Sequence, residues 1–171
     1  LKEDGSVVTW GVTSYGGNSS SVASQLTNAV VRVFSNRWAF AALKDNGAVV
    51  TWGFAGRGGN SSSVAADLSG GVVEVFSGGG PYGGAFAALK EDGSVITWGN
   101  KYCGGDSSAV TGQLKGGVKM VYSAARAFAA LKEDDSVITW GAWGGGGGSS
   151  SVAGHLKSGV KIIYSTDDAF A

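Results

Sequence analysis

The residues of this chain best suited to chemistry are its adjacent carboxylates. Glu3-Asp4, Glu91-Asp92 and Glu133-Asp134 each set two acids side by side, the residue types of general acid–base work. All three pairs fall at the same place in a recurring phrase, a tight turn between two apolar runs, where Gly follows the first two pairs and Asp135 the third. Turn chemistry therefore accounts for them. His155 is the only histidine, and the positions equivalent to it are Gln25, Asp67 and Gln113, so it reads as a solvated polar site. Cys103 is the only cysteine. Its equivalents are Tyr15, Arg57 and Gly145, so it is at most a free thiol in a variable loop, and no intrachain disulfide can form. One His and one Cys cannot build a metal cluster, and no Ser-His-Asp arrangement recurs. The glycine run at 144–148 is not followed by the Gly-Lys-Ser/Thr of a phosphate loop. Asn18-Ser19-Ser20 and Asn60-Ser61-Ser62 match the glycosylation acceptor pattern, but Asp106 stands at the equivalent place in a third copy. Helix capping, which Asn and Asp share, is the better account of them. The expectation is a non-enzymatic chain with no cofactor and no metal.

Composition narrows the partners. Lys plus Arg is 13 and Asp plus Glu is 13, so the net charge is zero. Nucleic-acid binding draws on a basic excess that is absent here. No apolar run approaches the length of a membrane-spanning helix, so membrane insertion is not expected. With 31 Gly but one Pro, and with abundant Val and aromatics, the chain reads as short strands joined by glycine turns. The lone cysteine fits a reducing compartment as well as a secreted protein without disulfides. The chain starts mid-phrase, without an initiator Met, and so reads as an excerpt of a longer polypeptide or a processed product.

The elements that must position any site come from repetition. LKEDGSVVTWG at residues 1–11 returns as LKDNGAVVTWG at 43–53, LKEDGSVITWG at 89–99 and LKEDDSVITWG at 131–141. The four Trp residues at 10, 52, 98 and 140 are spaced 42, 46 and 42 apart, which divides the chain into units of about 1–42, 43–88, 89–130 and 131–171. One stretch alone varies in length: the second unit carries a four-residue insertion within 78–84, containing Pro81 and Tyr82. Each unit predicts three strands, for example Val30–Ser35, Ala39–Lys44 and 48–53, all rich in β-branched or alternating apolar residues. Asp-Gly or Asn-Gly between the second and third predicts a tight hairpin, with Asp135 replacing the glycine in the last copy. A Ser/Asn/Asp cluster followed by Val and Leu four apart predicts a short helical turn. Small antiparallel sheets repeating every 40-odd residues point to an all-β, propeller-type array in which neighbours bury each other's faces. The Ala pairs of AFAAL suit a crowded inner strand.

The pattern AFAALKEDGSVVTWG, followed by a Gly-Gly loop and a V…L segment, resembles the RCC1-type repeat. That family has a strand ending in A-L, a D-G turn and V-x-x-W-G. The resemblance spans all four units, and their shortness is most like the compact bacterial variety with three-stranded blades. It implies an array of four RCC1-like blades, each of about three antiparallel strands plus a short helical turn. RCC1-like domains usually close with seven blades. Two arrangements are open: an arc of four units from a larger ring or array, or a ring sealed where the ends, AFA and LK, share a strand.

If Val30–Ser35 runs upward, the Asp-Gly turns lie at the bottom and two loops per unit emerge at the top. Those top loops are where the copies disagree, and the bottom turns are nearly uniform. The varied face carries Tyr15, Arg37, Trp38, Phe54, Arg57, Tyr82, Tyr102, Arg126 and Trp143. Aromatics and Arg dominate binding hot spots, and loops on rigid scaffolds are common recognition sites. The competing account is that such loops simply drift and that some aromatics cap the blades. The leading expectation is a module that binds a protein partner or a neighbouring subunit through this face. A scaffold that packs near-identical units into a larger assembly is the alternative. Guanine-nucleotide exchange belongs to particular members of the family, ranks below both, and no residue here carries it over.

Overall fold

The computed structural model describes residues 1–81 and 83–171. It is all-β, with three antiparallel sheets of three strands arranged like successive propeller blades. The first sheet holds β1 (Val30–Ser35), β2 (Ala39–Lys44) and β3 (Val49–Gly53); the second β4 (Val72–Gly80), β5 (Gly83–Lys90) and β6 (Val95–Gly99); the third β7 (Val118–Ser123), β8 (Ala127–Lys132) and β9 (Val137–Gly141). Each sheet has its AFAALK strand in the middle. The Ala pairs are thus small not because they face an axis, but because both faces of the central strand are covered by neighbouring sheets. Ala41, Ala42, Ala87, Ala88, Ala129 and Ala130 are completely buried.

The cores lie between sheets. Ala39, Ala41, Leu43 and Val49 of the first sheet meet Val72, Val75, Phe86, Ala88 and Trp98 of the second, with Leu68 from the connecting turn. The same set recurs one unit on, where Ala85, Ala87, Leu89 and Val95 meet Val118, Val121, Phe128, Ala130 and Trp140. Burying apolar faces in this way contributes about 25 cal/mol per Å² of surface removed from water. The sheets are also hooked together by backbone. The hairpin-turn carbonyls of Gly5, Gly47, Gly93 and Asp135 accept from the amides of Val30, Val72, Val118 and Val160, each 25 residues on.

The Asp residues of the repeated turns act structurally. Asp4, Asp92 and Asp134 each accept from the amide and the hydroxyl of the Ser two residues on. Those bonds hold the Asp4 carboxyl down at about 2 and lower Asp92 and Asp134 in the same direction. The predicted helical turns are 3₁₀ turns: Ser20–Gln25, Ser62–Val64, Ser108–Gln113 and Ser150–Val152. Asn18, Asn60 and Asp106 accept from the amides of Ser20, Ser62 and Ser108, two residues on; these are turns that lead into the 3₁₀ segments rather than the expected N-cap bonds, since the cap positions are Ser19, Ser61 and Ser107.

The segments at the two ends of the chain form no fourth sheet among the described residues. Residues 7–11 form no strand, and at the other end the only bridge among the described residues pairs Ser165 with Phe170. The four-residue insertion lengthens the β4–β5 hairpin: Gly78, Gly79 and Gly80 pair with Ala85, Gly84 and Gly83.

Candidate partner-binding face

The two variable loops of each unit emerge beside one another. The amide of Phe54 donates to the carbonyl of Trp38 across 2.9 Å, and the amide of Ala142 donates likewise to Arg126. After each Trp-Gly strand end the chain makes one 3₁₀ turn, Thr13–Tyr15, Ala55–Arg57, Lys101–Cys103 or Trp143–Gly145. Each turn is stopped by a left-handed glycine. This second turn per unit was missed from sequence, although the Gly-Gly pair at fixed distance after Trp-Gly is its signal.

Trp38 is the centre of the first loop cluster. Asn36 sets its position, accepting from the amides of Trp38 at 2.8 Å and Ala39 at 3.0 Å and donating to the carbonyl of Arg57 at 2.9 Å. The ring of Tyr15 meets the Trp38 indole edge-on with centroids 4.9 Å apart, and Phe54 lies 6.3 Å away. The guanidinium carbons of Arg37 and Arg57 each sit 5.6 Å from the same indole, close enough for cation–π attraction. Five of the nine predicted residues, Tyr15, Arg37, Trp38, Phe54 and Arg57, therefore form one contact group. The indole is half-buried and its Nε1 lies buried without a hydrogen-bond partner among the described residues, whereas Tyr15 and Phe54 are exposed.

A second group lines a groove of about 500 Å³ bounded by Lys101, Tyr102, Cys103, Arg126 and Trp143. Tyr102 and Trp143 are 71% and 73% exposed, more open than Tyr15 and Phe54. Arg126 reaches into the fourth unit and binds Asp168 at 2.9 Å. Cys103 is buried. Burial pushes its thiol above the usual 9.0, with Arg57 and Arg126 acting in the opposite direction.

The lengthened β4–β5 hairpin runs between the two groups. A methyl on Gly79 would fall 2.7 Å from the Asn36 Cβ, and one on Gly80 3.0 Å from that of Ala125. The hairpin thus bridges the loop of the first sheet and the loop of the third. Tyr82, at its tip in sequence, lies outside the described residues. No cluster of His, Cys, Asp or Glu that could hold a metal occurs among the described residues. No helix is long and apolar enough to cross a membrane.

No family model matches the chain, and no curated protein matches it. Solved structures do. The ectodomain of the receptor kinase CR4 of Physcomitrella patens is 16% identical with a TM-score of 0.52, over 98% of this chain and 40% of that one. Yeast RCC1 (Prp20), bound to Kap60, is 16% identical with a TM-score of 0.44, over 66% of this chain and 29% of that one. Human WBSCR16 is 24% identical with a TM-score of 0.42, over 66% of this chain and 33% of that one. The chain spans well under half the length of each. At 16% identity the first likeness bears on the fold alone: the whole chain follows the path of part of that ectodomain.

Proposed function

We propose that this chain is a non-enzymatic, RCC1-like module of four propeller-type units that binds a protein partner through its variable-loop face. The observation that carries the reading is the Trp38 cluster: one indole clasped by two arginines and two exposed aromatics, at the end of the sheets where the repeats differ. Uniform scaffold with concentrated variation at one end is the pattern of a recognition surface on a rigid frame. The cluster and the Tyr102–Trp143 groove are joined through the inserted hairpin, so the partner would lie across several units. Trp and Arg in half-desolvated settings typically carry 2 kcal/mol or more of binding energy, roughly a 30-fold change in affinity.

The test compares partners captured by the native chain with those captured by a Tyr102→Ala/Trp143→Ala variant, with quantification by mass spectrometry. Both side chains are largely exposed, so the fold survives their loss. Proteins enriched by the native chain and lost with the variant support the reading. Identical capture by both overturns it.

A further inference from the structure

The zero net charge of this chain hides a separation by end. At the uniform end, the hairpin turns 2–5, 44–47, 90–93 and 132–135 hold eight acids and four lysines. Three of those lysines, Lys44, Lys90 and Lys132, turn their Nζ to the backbone carbonyls of Gln25, Asp67 and Gln113. The variable end is the reverse. Its loops at 12–17, 36–38, 54–59, 78–84, 100–105, 124–126 and 142–148 contain Arg37, Arg57, Lys101 and Arg126 and not one acid. Acids enter at this end only with Asp167 and Asp168, and Asp168 is the one that Arg126 binds. Arg32 is the sole arginine of the chain placed elsewhere.

These cations stand among aromatic rings. Arg37 and Arg57 flank the Trp38 indole, with Tyr15 and Phe54 exposed beside it. In the second group the Nζ of Lys101 lies 4.9 Å from the centre of the Tyr102 ring, at the rim of the groove that Arg126 and Trp143 complete. Arg37 and Lys101 are exposed, and neither forms an ion pair among the described residues. The two groups are continuous. Arg57 of the first and Cys103 of the second crowd the same spot, where a side chain on Gly83 would strike both.

Charge and rings together narrow what this face can hold. A guanidinium beside an indole presents N–H donors suited to a carboxylate, and desolvation by the ring strengthens the bond. The exposed rings next to each cation call for apolar cover. A single-stranded nucleic acid offers anions and flat bases, but these loops hold four cations in all, against the roughly 6–10 phosphate contacts of a strong binder. The acidic turns of a second copy offer carboxylates, but they carry no apolar side chain and would leave the rings bare.

We propose that the segment bound by the variable-loop face is an acidic polypeptide, whose Asp and Glu side chains meet Arg37 and Lys101 while apolar side chains between them cover Tyr15, Phe54 and the Tyr102–Trp143 groove. The proposal rests on the loop-face reading and adds to it the charge of what is bound. Complementary charge at such a rim acts mainly on the rate of encounter and on the choice among partners.

The experiment is selection from random peptides displayed on phage, with the 171-residue chain as bait. Expected are peptides of net negative charge with aromatic or aliphatic residues interspersed. Synthetic copies, followed by fluorescence anisotropy, should bind at least about tenfold more weakly to an Arg37→Glu/Lys101→Glu variant. They should also weaken as NaCl is added. Both substituted side chains are exposed, so the melting curve stays the same. Selection on that variant should turn the preference toward Lys- and Arg-bearing peptides. Neutral or basic peptides from the native chain, acidic ones indifferent to the charge reversal, no enriched peptide at all, or tighter binding of single-stranded RNA would each overturn the proposal. Neutral or basic peptides that are lost with Tyr102→Ala/Trp143→Ala would overturn the charge assignment alone and leave the loop-face reading standing. Peptides indifferent to both variants would overturn the two together.

Discussion

The indole Nε1 of Trp98 donates to the carbonyl oxygen of Gly58, forty residues earlier, across 3.1 Å. One bond thus ties the end of one repeat to the glycine stop in the preceding one. Gly58 sits at φ +104°, and a Cβ there would enter the ring of Phe86. Gly58→Ala combines a left-handed strain of roughly 1–2 kcal/mol with overpacking of roughly 1–3 kcal/mol. The expected loss of about 2–5 kcal/mol is read as a fall in urea midpoint. Trp98→Phe keeps the stack but orphans the carbonyl, so it should cost about 1–3 kcal/mol.

Ala29 occupies a left-handed position, φ 62°, where the other units have Gly71, Gly117 and Gly159. Ala29→Gly relieves roughly 1–2 kcal/mol of strain and gives back about 0.4–1 kcal/mol through the freer unfolded chain. A net gain of up to about 1.5 kcal/mol follows. Chemical denaturation of the two proteins checks it.

Asp135 takes the second left-handed non-glycine position and binds both Lys119, at 2.6 Å, and Lys161, at 2.5 Å. Hydrogen bonds from those two lysines hold its carboxyl at about 2, below the ordinary 3.8. A group depressed in the fold adds stability above its unfolded value and loses it as pH falls toward the folded one. Melting temperature should therefore drop between about pH 4 and pH 2, and Asp135→Asn should flatten that part of the profile.

The buried Cys103 thiol, raised by its burial, should resist a thiol reagent at pH 8 in the native protein and react promptly in denaturant. Prompt labelling of the native chain would show that the groove beside Arg126 is open to it.

Much of this fold could be read in the repeats. The strands of the first full unit were placed to within one residue, because Asn46-Gly47 fixes the hairpin and alternation fixes the rest. The pairing of the two variable loops at one end also followed from strand direction alone, and it brought Tyr15, Trp38 and Phe54 together. The Trp–Gly bonds between units were not legible, since they join residues 36 or 40 apart whose neighbourhood exists only once sheets stack. Nor was the lack of a strand at residues 7–11 legible: VVTWG matches the pattern, but a strand needs a partner, and none pairs with it among the described residues. Asn36, a loop residue with no signal beyond its type, proved to set the position of Trp38.

The most direct measurement is hydrogen exchange of the chain with and without a captured partner. The account predicts slowed exchange at residues 36–38, 54–57, 101–103 and 142–145, with the turns at 3–6, 45–48, 91–94 and 133–136 unchanged. Protection of the uniform turns, with the loops around Trp38 and Trp143 exchanging as before, would contradict it.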